Sequence, residues 1–210
     1  MNEQEQALVK AGKMLPLMEA FYTIQGEGFH SGKSAYFLRI GGCDVGCHWC
    51  DVKESWNADL HPPTHLEKMV EDLLQFPVET VVVTGGEPLM WDMQPLTDLL
   101  HEKGLQIHIE TSGAYPLSGV FDWICLSPKK TMPPKTEVVA EADELKVIIH
   151  NQHDFKWAEQ QAANTKPACR LYLQPEWSKA EEMMPQIVEY VKENPKWNVS
   201  LQTHKYMNIP

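Results

Sequence analysis

The chain has 210 residues, 43% hydrophobic and 22% charged, with a formal net charge of −11. That length suits one domain with a substantial core, and the composition excludes a disordered chain. The acidity argues against a surface that grips nucleic-acid phosphates, although a local basic pocket for a small anion stays open.

No apolar run approaches the roughly 20 residues that span a bilayer. The opening stretch MNEQEQALVKAGKML has no apolar core of the secretory type. A cytoplasmic protein without membrane or nucleic-acid partners is the expectation. One domain is expected over residues 1–210, with residues 1–15 as a polar, loosely ordered lead-in.

In chain order, TIQGEG (Thr23 to Gly28) reads as a polar turn in an N-terminal hairpin, and its glycines and polar side chains also suit a pocket wall. SAYFLRI (Ser34 to Ile40) reads as a strand and leads into GGCDVGCHWCD. Leu66, Met69, Val70, Leu73 and Leu74 form an apolar helical stripe. TVVVT (Thr80 to Thr84) is a β-branched run of the kind found in parallel strands buried on both faces. Leu96, Leu99 and Leu100 mark a second helix, which Gly104 is placed to stop. Strands follow at Leu105 to Glu110, Trp123 to Ser127, Glu144 to His150, Arg170 to Gln174 and Asn198 to Thr203. Further helices are expected over about His153 to Ala163 and Ser178 to Lys192.

Strand–helix alternation predicts an α/β fold with a parallel sheet and right-handed crossovers. A closed eight-fold barrel typically needs about 250 residues, so a partial, incomplete TIM-like β/α barrel or an open parallel sheet is expected. Either puts ligands at the carboxyl ends of the strands.

Five cysteines are an odd number, and Cys43, Cys47 and Cys50 crowd one loop in a Cys-x3-Cys-x2-Cys pattern. A secreted disulfide framework would spread an even set along the chain, whereas clustered thiols in a reducing compartment bind metal or do redox work. Cys125 and Cys169 sit in apolar runs and read as buried core thiols. A structural zinc site wants four ligands, and a [4Fe–4S] cube has four irons to ligate. Three thiolates on a cube leave one iron open for a small molecule. His48 as a fourth ligand would instead make a Cys3His zinc site.

The strand ends carry further polar motifs. TGGEP (Thr84 to Pro88) exposes backbone groups at close range, and Glu87 either meets an amine or fixes the loop. ETSG (Glu110 to Gly113) and SPK (Ser127 to Lys129) end the next two strands. Lys146 lies inside an apolar strand and needs a partner if buried. Arg39, near the end of the first parallel strand, either clamps a carboxylate or salt-bridges at the surface. In the closing QTHKYMNIP, strand alternation would put Gln202 and His204 on one face.

The cysteine spacing, with Trp49 just before the last cysteine, matches the signature of the radical S-adenosylmethionine (SAM) superfamily. FYTIQGEG, FLRIGGCDVGCHWCD, VVVTGGEPL, IETSG, LSPK and QTHKYMNIP together resemble the 7-carboxy-7-deazaguanine synthases within it, from residue 21 to the last residue. The resemblance implies a homodimeric partial barrel that converts the pterin 6-carboxy-5,6,7,8-tetrahydropterin to 7-carboxy-7-deazaguanine with loss of ammonia, a step towards queuosine. It implies a [4Fe–4S] cluster on Cys43, Cys47 and Cys50. SAM bound there would yield a 5′-deoxyadenosyl radical that takes a hydrogen from C6 and later returns it, with flavodoxin or ferredoxin as electron donor. By position, Trp49, Asp51, Gly86, Ser112, Ser127 and Lys129 would contact SAM. Ile24, Gln25, Gly26, Arg39, Thr84, His204 and Pro210 would line the substrate site, with Arg39 on the substrate carboxylate.

One position departs from the family's pattern. The family usually has Thr or Ser two residues after the last cysteine, where its oxygen helps hold Mg2+. Here Val52 has none, and Mg2+ prefers oxygen ligands. A reduced Mg2+ effect on rate is the expectation. Two other readings stay open at this stage: a glycyl-radical activating enzyme, which needs a groove for a partner protein, and a non-catalytic zinc-stabilised binding module.

Overall fold

The computed structural model describes residues 2–210. Among the described residues, nine strands form one sheet in the order β3-β1-β2-β4-β5-β6-β7-β8-β9. The parallel set comprises β2 (Ser34–Ile40), β4 (Thr80–Gly85), β5 (Gln106–Thr111), β6 (Trp123–Leu126), β7 (Glu144–Ile149), β8 (Arg170–Pro175) and β9 (Trp197–Val199). β1 (Met14–Ile24) runs antiparallel to β2 and also carries β3 (Pro63–His65). The curled sheet has two free edges, at β3 and β9, so the barrel is partial.

Alternation along the parallel strands separates two environments. Leu38, Ile40, Val81, Val83, Ile107 and Ile109 face outward into one core with α2 (Leu66–Leu73) and α3 (Gln94–Glu102). Leu126, Leu145, Val147, Ile149 and Leu173 face a second core with α4 (Thr136–Glu141), α5 (His153–Ala162) and α6 (Ala180–Glu193). The opposite strand faces, carrying Arg39, His108, Cys125, Lys146 and Gln174, turn into the barrel. The fold therefore puts most of its apolar residues on the outside of the sheet and leaves an interior that is polar apart from a cluster of Phe21, Ala35, Phe37 and Val82.

Helix α2 buries Leu66, Met69, Val70 and Leu73, while Leu74, at its C-cap, is exposed. Gly104 stops α3 with φ +73°, a conformation that disfavours other residues. No helix among the described residues is long and apolar enough to cross a membrane.

Three expectations are corrected, and one strand was not foreseen. The lead-in is not loose: Glu3–Lys10 form helix α1, capped by reciprocal bonds between Asn2 and Glu5 at 2.7 and 2.9 Å. Its polarity hid it, because only Val9 is buried. Strand β1, with Pro16 and a register irregularity near Leu17, lacks clean alternation and escaped notice. The last strand ends at Val199, and Thr203–Met207 are helix α7, so Gln202 and His204 are not strand neighbours. The backbone N–H and the hydroxyl of Thr203 both donate to the Gly26 carbonyl at 2.9 Å, which draws the chain out of the ladder. Finally, Cys125 is buried as expected, but Cys169 is only half-buried at the start of β8.

Candidate active site

The cysteine loop begins where β2 ends, and glycines let it pack against the loop after β4. Gly42 has φ +105°. A Cβ on Gly86 would fall 2.2 Å from the Gly42 carbonyl oxygen, so this approach needs glycine. The N–H groups of Gly86 and Glu87 donate to the carbonyls of Ile40 and Gly42 at 2.9 and 2.8 Å. The Glu87 side chain is buried and accepts from the N–H of Leu89 at 3.1 Å, the Thr111 hydroxyl at 2.6 Å, and both the N–H (2.8 Å) and the hydroxyl of Ser112. It therefore ties the end of β4 to the end of β5 and is not free for an amine.

A pocket of about 260 Å³ opens at these strand ends. All seventeen residues carried over from the resemblance line it: Cys43, Cys47, Trp49, Cys50, Asp51 and Val52 from the cysteine loop; Thr84, Gly86, Ser112, Ser127 and Lys129 from later strand ends; Ile24, Gln25, Gly26 and Arg39 from β1, its loop and β2; and His204 and Pro210 from the C-terminal segment. Sequence reasoning gave no site role to Gln174 and Pro175 at the end of β8 or to Glu176 and Trp177 after it; it singled out Glu110 and Lys146 but did not assign them to the pocket that they line. The QPEW segment also ends a parallel strand, and that position was the signal available.

The thiols fit an iron–sulfur cluster. Burial pushes Cys43 up to about 11, and Glu87, Cys47 and Cys50 nearby push it further the same way. Cys47 is also raised, chiefly by burial. Such thiols stay protonated until a cationic centre draws them as thiolates. Among the described residues, no three His, Cys, Asp or Glu side chains converge as ligands of one metal ion, whereas the corners of a cube take thiolates that stand further apart. His48 is exposed and lies edge-on to the rings of Trp49 and His150 at 6.2 and 5.5 Å, outside the pocket lining. It does not complete a fourfold site.

The charged groups are held in place. Lys129 donates to the carbonyl and the hydroxyl of Ser127 at 2.6 and 2.7 Å, and its ammonium stands 5.6 Å from the Trp49 ring centroid. Burial lowers its pKa. Arg39 stands 3.5 Å from Glu19 and 5.5 Å over the Phe21 ring, and its buried Nε has no hydrogen-bond partner among the described residues. A guanidinium so placed has donors to spare for an anion. Burial also lowers His204, against the pull of Glu27. The α7 helix that carries His204 is pinned where the Lys205 ammonium sits 4.4 Å over the Trp177 ring.

Comparisons with known proteins agree with this geometry. The Radical SAM superfamily profile matches residues 38–124. A 7-carboxy-7-deazaguanine synthase of Flavobacterium psychrophilum is 63% identical over the whole of both chains. One from Synechocystis is 48% identical over 92% of this chain and 93% of its own. The crystal structure of QueE from Escherichia coli superposes with a TM-score of 0.83 at 27% identity, covering 96% of this chain and 99% of that one. This chain belongs to the 7-carboxy-7-deazaguanine synthase family of the radical SAM superfamily.

Proposed function

We propose that this chain converts 6-carboxy-5,6,7,8-tetrahydropterin to 7-carboxy-7-deazaguanine and ammonia, within 7-deazapurine and queuosine biosynthesis. The observation that carries this reading is a single pocket shared by the three-cysteine loop, the polar strand ends, the TIQGEG loop and the C-terminal segment. Cys43, Cys47 and Cys50 are assigned to a [4Fe–4S] cluster, and Trp49, Asp51, Gly86, Ser112, Ser127 and Lys129 to SAM. Ile24, Gln25, Gly26, Arg39, Thr84, His204 and Pro210 are assigned to the pterin. The cluster and SAM together supply one-electron chemistry that removes and returns a substrate hydrogen atom.

The protein's own share is binding, orientation and exclusion of water. The Arg39 guanidinium lines the pocket with its Nε ion-paired to Glu19 at 3.5 Å, and its terminal N–H groups suit the substrate carboxylate. His204 at the pocket wall stays largely neutral near pH 7, because burial lowers it, and so offers one donor and one acceptor. Phe21, Phe37, Val45 and Ile148 give the pocket apolar patches that keep stray hydrogen donors away from a reactive centre.

Val52 presents an aliphatic side chain to the pocket, so Mg2+, if it takes part, is held by substrate, water and other protein oxygens. A homodimer, a flavodoxin or ferredoxin donor and a reducing cytoplasmic setting complete the proposal. A glycyl-radical activating enzyme is less well supported, because the TIQGEG loop and α7 wall the pocket against a protein partner. A zinc module is less well supported because His48 is exposed and outside the pocket lining that holds the three thiols. The test is turnover by anaerobically reconstituted protein with SAM, a reductant and the carboxytetrahydropterin. The deazapurine supports the reading, and an intact cluster without product removes it.

A further inference from the structure

Lys146 on β7 is a buried cation in the pocket lining, its side chain 4% exposed. A lone buried ammonium is costly, and this one is compensated twice. It donates to Glu27 Oε2 at 2.5 Å and to Glu110 Oε2 at 3.3 Å. Each carboxylate spends its other oxygen on an amide: Glu27 Oε1 accepts from Gln202 Nε2 and Glu110 Oε1 from Gln25 Nε2, both at 2.8 Å. Oε1 of the Gln25 side chain then accepts the N–H of Glu27 at 3.0 Å.

One cation thus links the TIQGEG loop, β5 and the segment that leads into α7, and all five side chains line the pocket. A salt bridge serving stability alone has no need to reach three separate pocket walls. With two carboxylates to one ammonium, the group keeps a net negative charge suited to a ligand edge rich in N–H donors.

We propose that Lys146 is a positioning residue for the pterin reaction: by fixing Glu27 and Glu110 it presets the Gln25 and Gln202 amides and the carboxylates against the polar edge of the substrate ring. The inference rests on the function proposed above. In support, burial would raise Glu27, yet Lys146 and the Gln202 and Gln174 amides hold it at about 2.

The titratable groups facing Lys146 are Glu27 from the β1–β2 loop, Glu110 from β5, Cys125 from β6 and Glu144 on its own strand. Lys129 is a nearby cation, and Tyr172 is the cross-strand neighbour on β8. Without the ammonium, two carboxylates face each other, and a proton shared between them becomes the substitute.

The test compares wild type, Lys146→Met and Lys146→Arg as reconstituted full-length protein. It measures iron per chain, SAM affinity, and KM and kcat for the carboxytetrahydropterin from pH 8 to pH 6. Lys146→Met is expected to keep iron and SAM affinity within about twofold and to raise KM about tenfold or more at pH 8. That defect should shrink towards pH 6, and Lys146→Arg should recover part of it. An unchanged KM, a pH-independent defect, or parallel loss of iron and SAM affinity overturns the inference.

If Lys146→Met does not fold, the double variant with Glu27→Gln removes one of the two uncompensated carboxylates and restores the group's net charge. A folded double variant with raised KM supports the inference, and one with wild-type KM overturns it. Failure of wild type to make product overturns the function itself, whereas turnover by wild type with an unaffected Lys146→Met overturns only the role of Lys146.

Discussion

A Cβ on Gly26 would fall 2.3 Å from Nδ1 of His204, so bare backbone is what lets the N-terminal loop and α7 share one wall of the pocket. Gly26→Ala should push His204 and α7 outward while leaving the cysteine loop alone. Displacement of a substrate-facing group by about 1 Å costs on the order of a hundredfold in turnover, and that loss in kcat/KM is expected at unchanged iron content. Adding His204→Gly should relieve the clash and recover thermal stability without recovering turnover. Wild-type kinetics in Gly26→Ala would show that the contact has no functional weight.

Glu87 braces the ends of β4 and β5 with four accepted hydrogen bonds from a buried position. Glu87→Gln turns one acceptor into a donor that faces other donors. Leaving buried groups unsatisfied costs about 1–3 kcal/mol, or roughly 2–4 °C in Tm for each kcal/mol in a chain of this size. Calorimetry on the reconstituted protein measures the drop, and weaker SAM binding should accompany it because Ser112 loses its anchor. A Tm equal to wild type would mean the brace is dispensable.

Only the loop cysteines should carry iron. Cys43→Ala, Cys47→Ala and Cys50→Ala are each expected to lose the brown chromophore after reconstitution, while Cys125→Ala and Cys169→Ala keep it. Cys125 lies in the barrel beside Glu144 and Lys146, and burial holds its thiol well up, which suits an inert core residue. Iron assays and visible spectra decide the matter. Loss of iron in Cys125→Ala at unchanged Tm would contradict the assignment.

Acid should weaken the fold through His108. Burial pushes its pKa down from 6.5 to about 4, and His30, with its ring centroid 4.4 Å away, adds to the shift. The unfolded chain takes this proton near pH 6.5 and the folded chain only near pH 4. Between those values the unfolded state binds more protons, so stability falls as pH falls. Denaturant unfolding should give a stability about 1 kcal/mol lower at pH 5.5 than at pH 7.5 from this group alone, and His108→Gln should flatten that slope. A slope unchanged by the substitution would assign the acid sensitivity elsewhere.

Magnesium offers a gain-of-function test. Wild type, with Val52 in the pocket, should show little change in rate across a Mg2+ titration, and Val52→Thr should acquire a saturable activation. Strong saturable activation of wild type would mean that other oxygens hold the ion.

The sequence showed the chemistry more clearly than the architecture. Cysteine spacing, GGEP, ETSG and SPK are local patterns tied to strand ends, and they marked the pocket's main wall without a fold. β1 stayed hidden because Pro16 and a register irregularity break its alternation, and α1 because its only buried residue is Val9. The helical turn at Thr203 depends on the Gly26 carbonyl, a contact 177 positions away that no local pattern carries. Lys146 was visible as an anomaly in an apolar strand, but its partners Glu27 and Glu110 come from distant segments and appear only once the sheet curls.

The central claim is best tested by mass-spectrometric analysis of one anaerobic reaction containing reconstituted protein, reductant, SAM and 6-carboxy-5,6,7,8-tetrahydropterin. The account predicts 7-carboxy-7-deazaguanine and ammonia in equal amounts, over many turnovers, with SAM not consumed in proportion. Unchanged pterin from a protein with its cluster intact and SAM bound would contradict it.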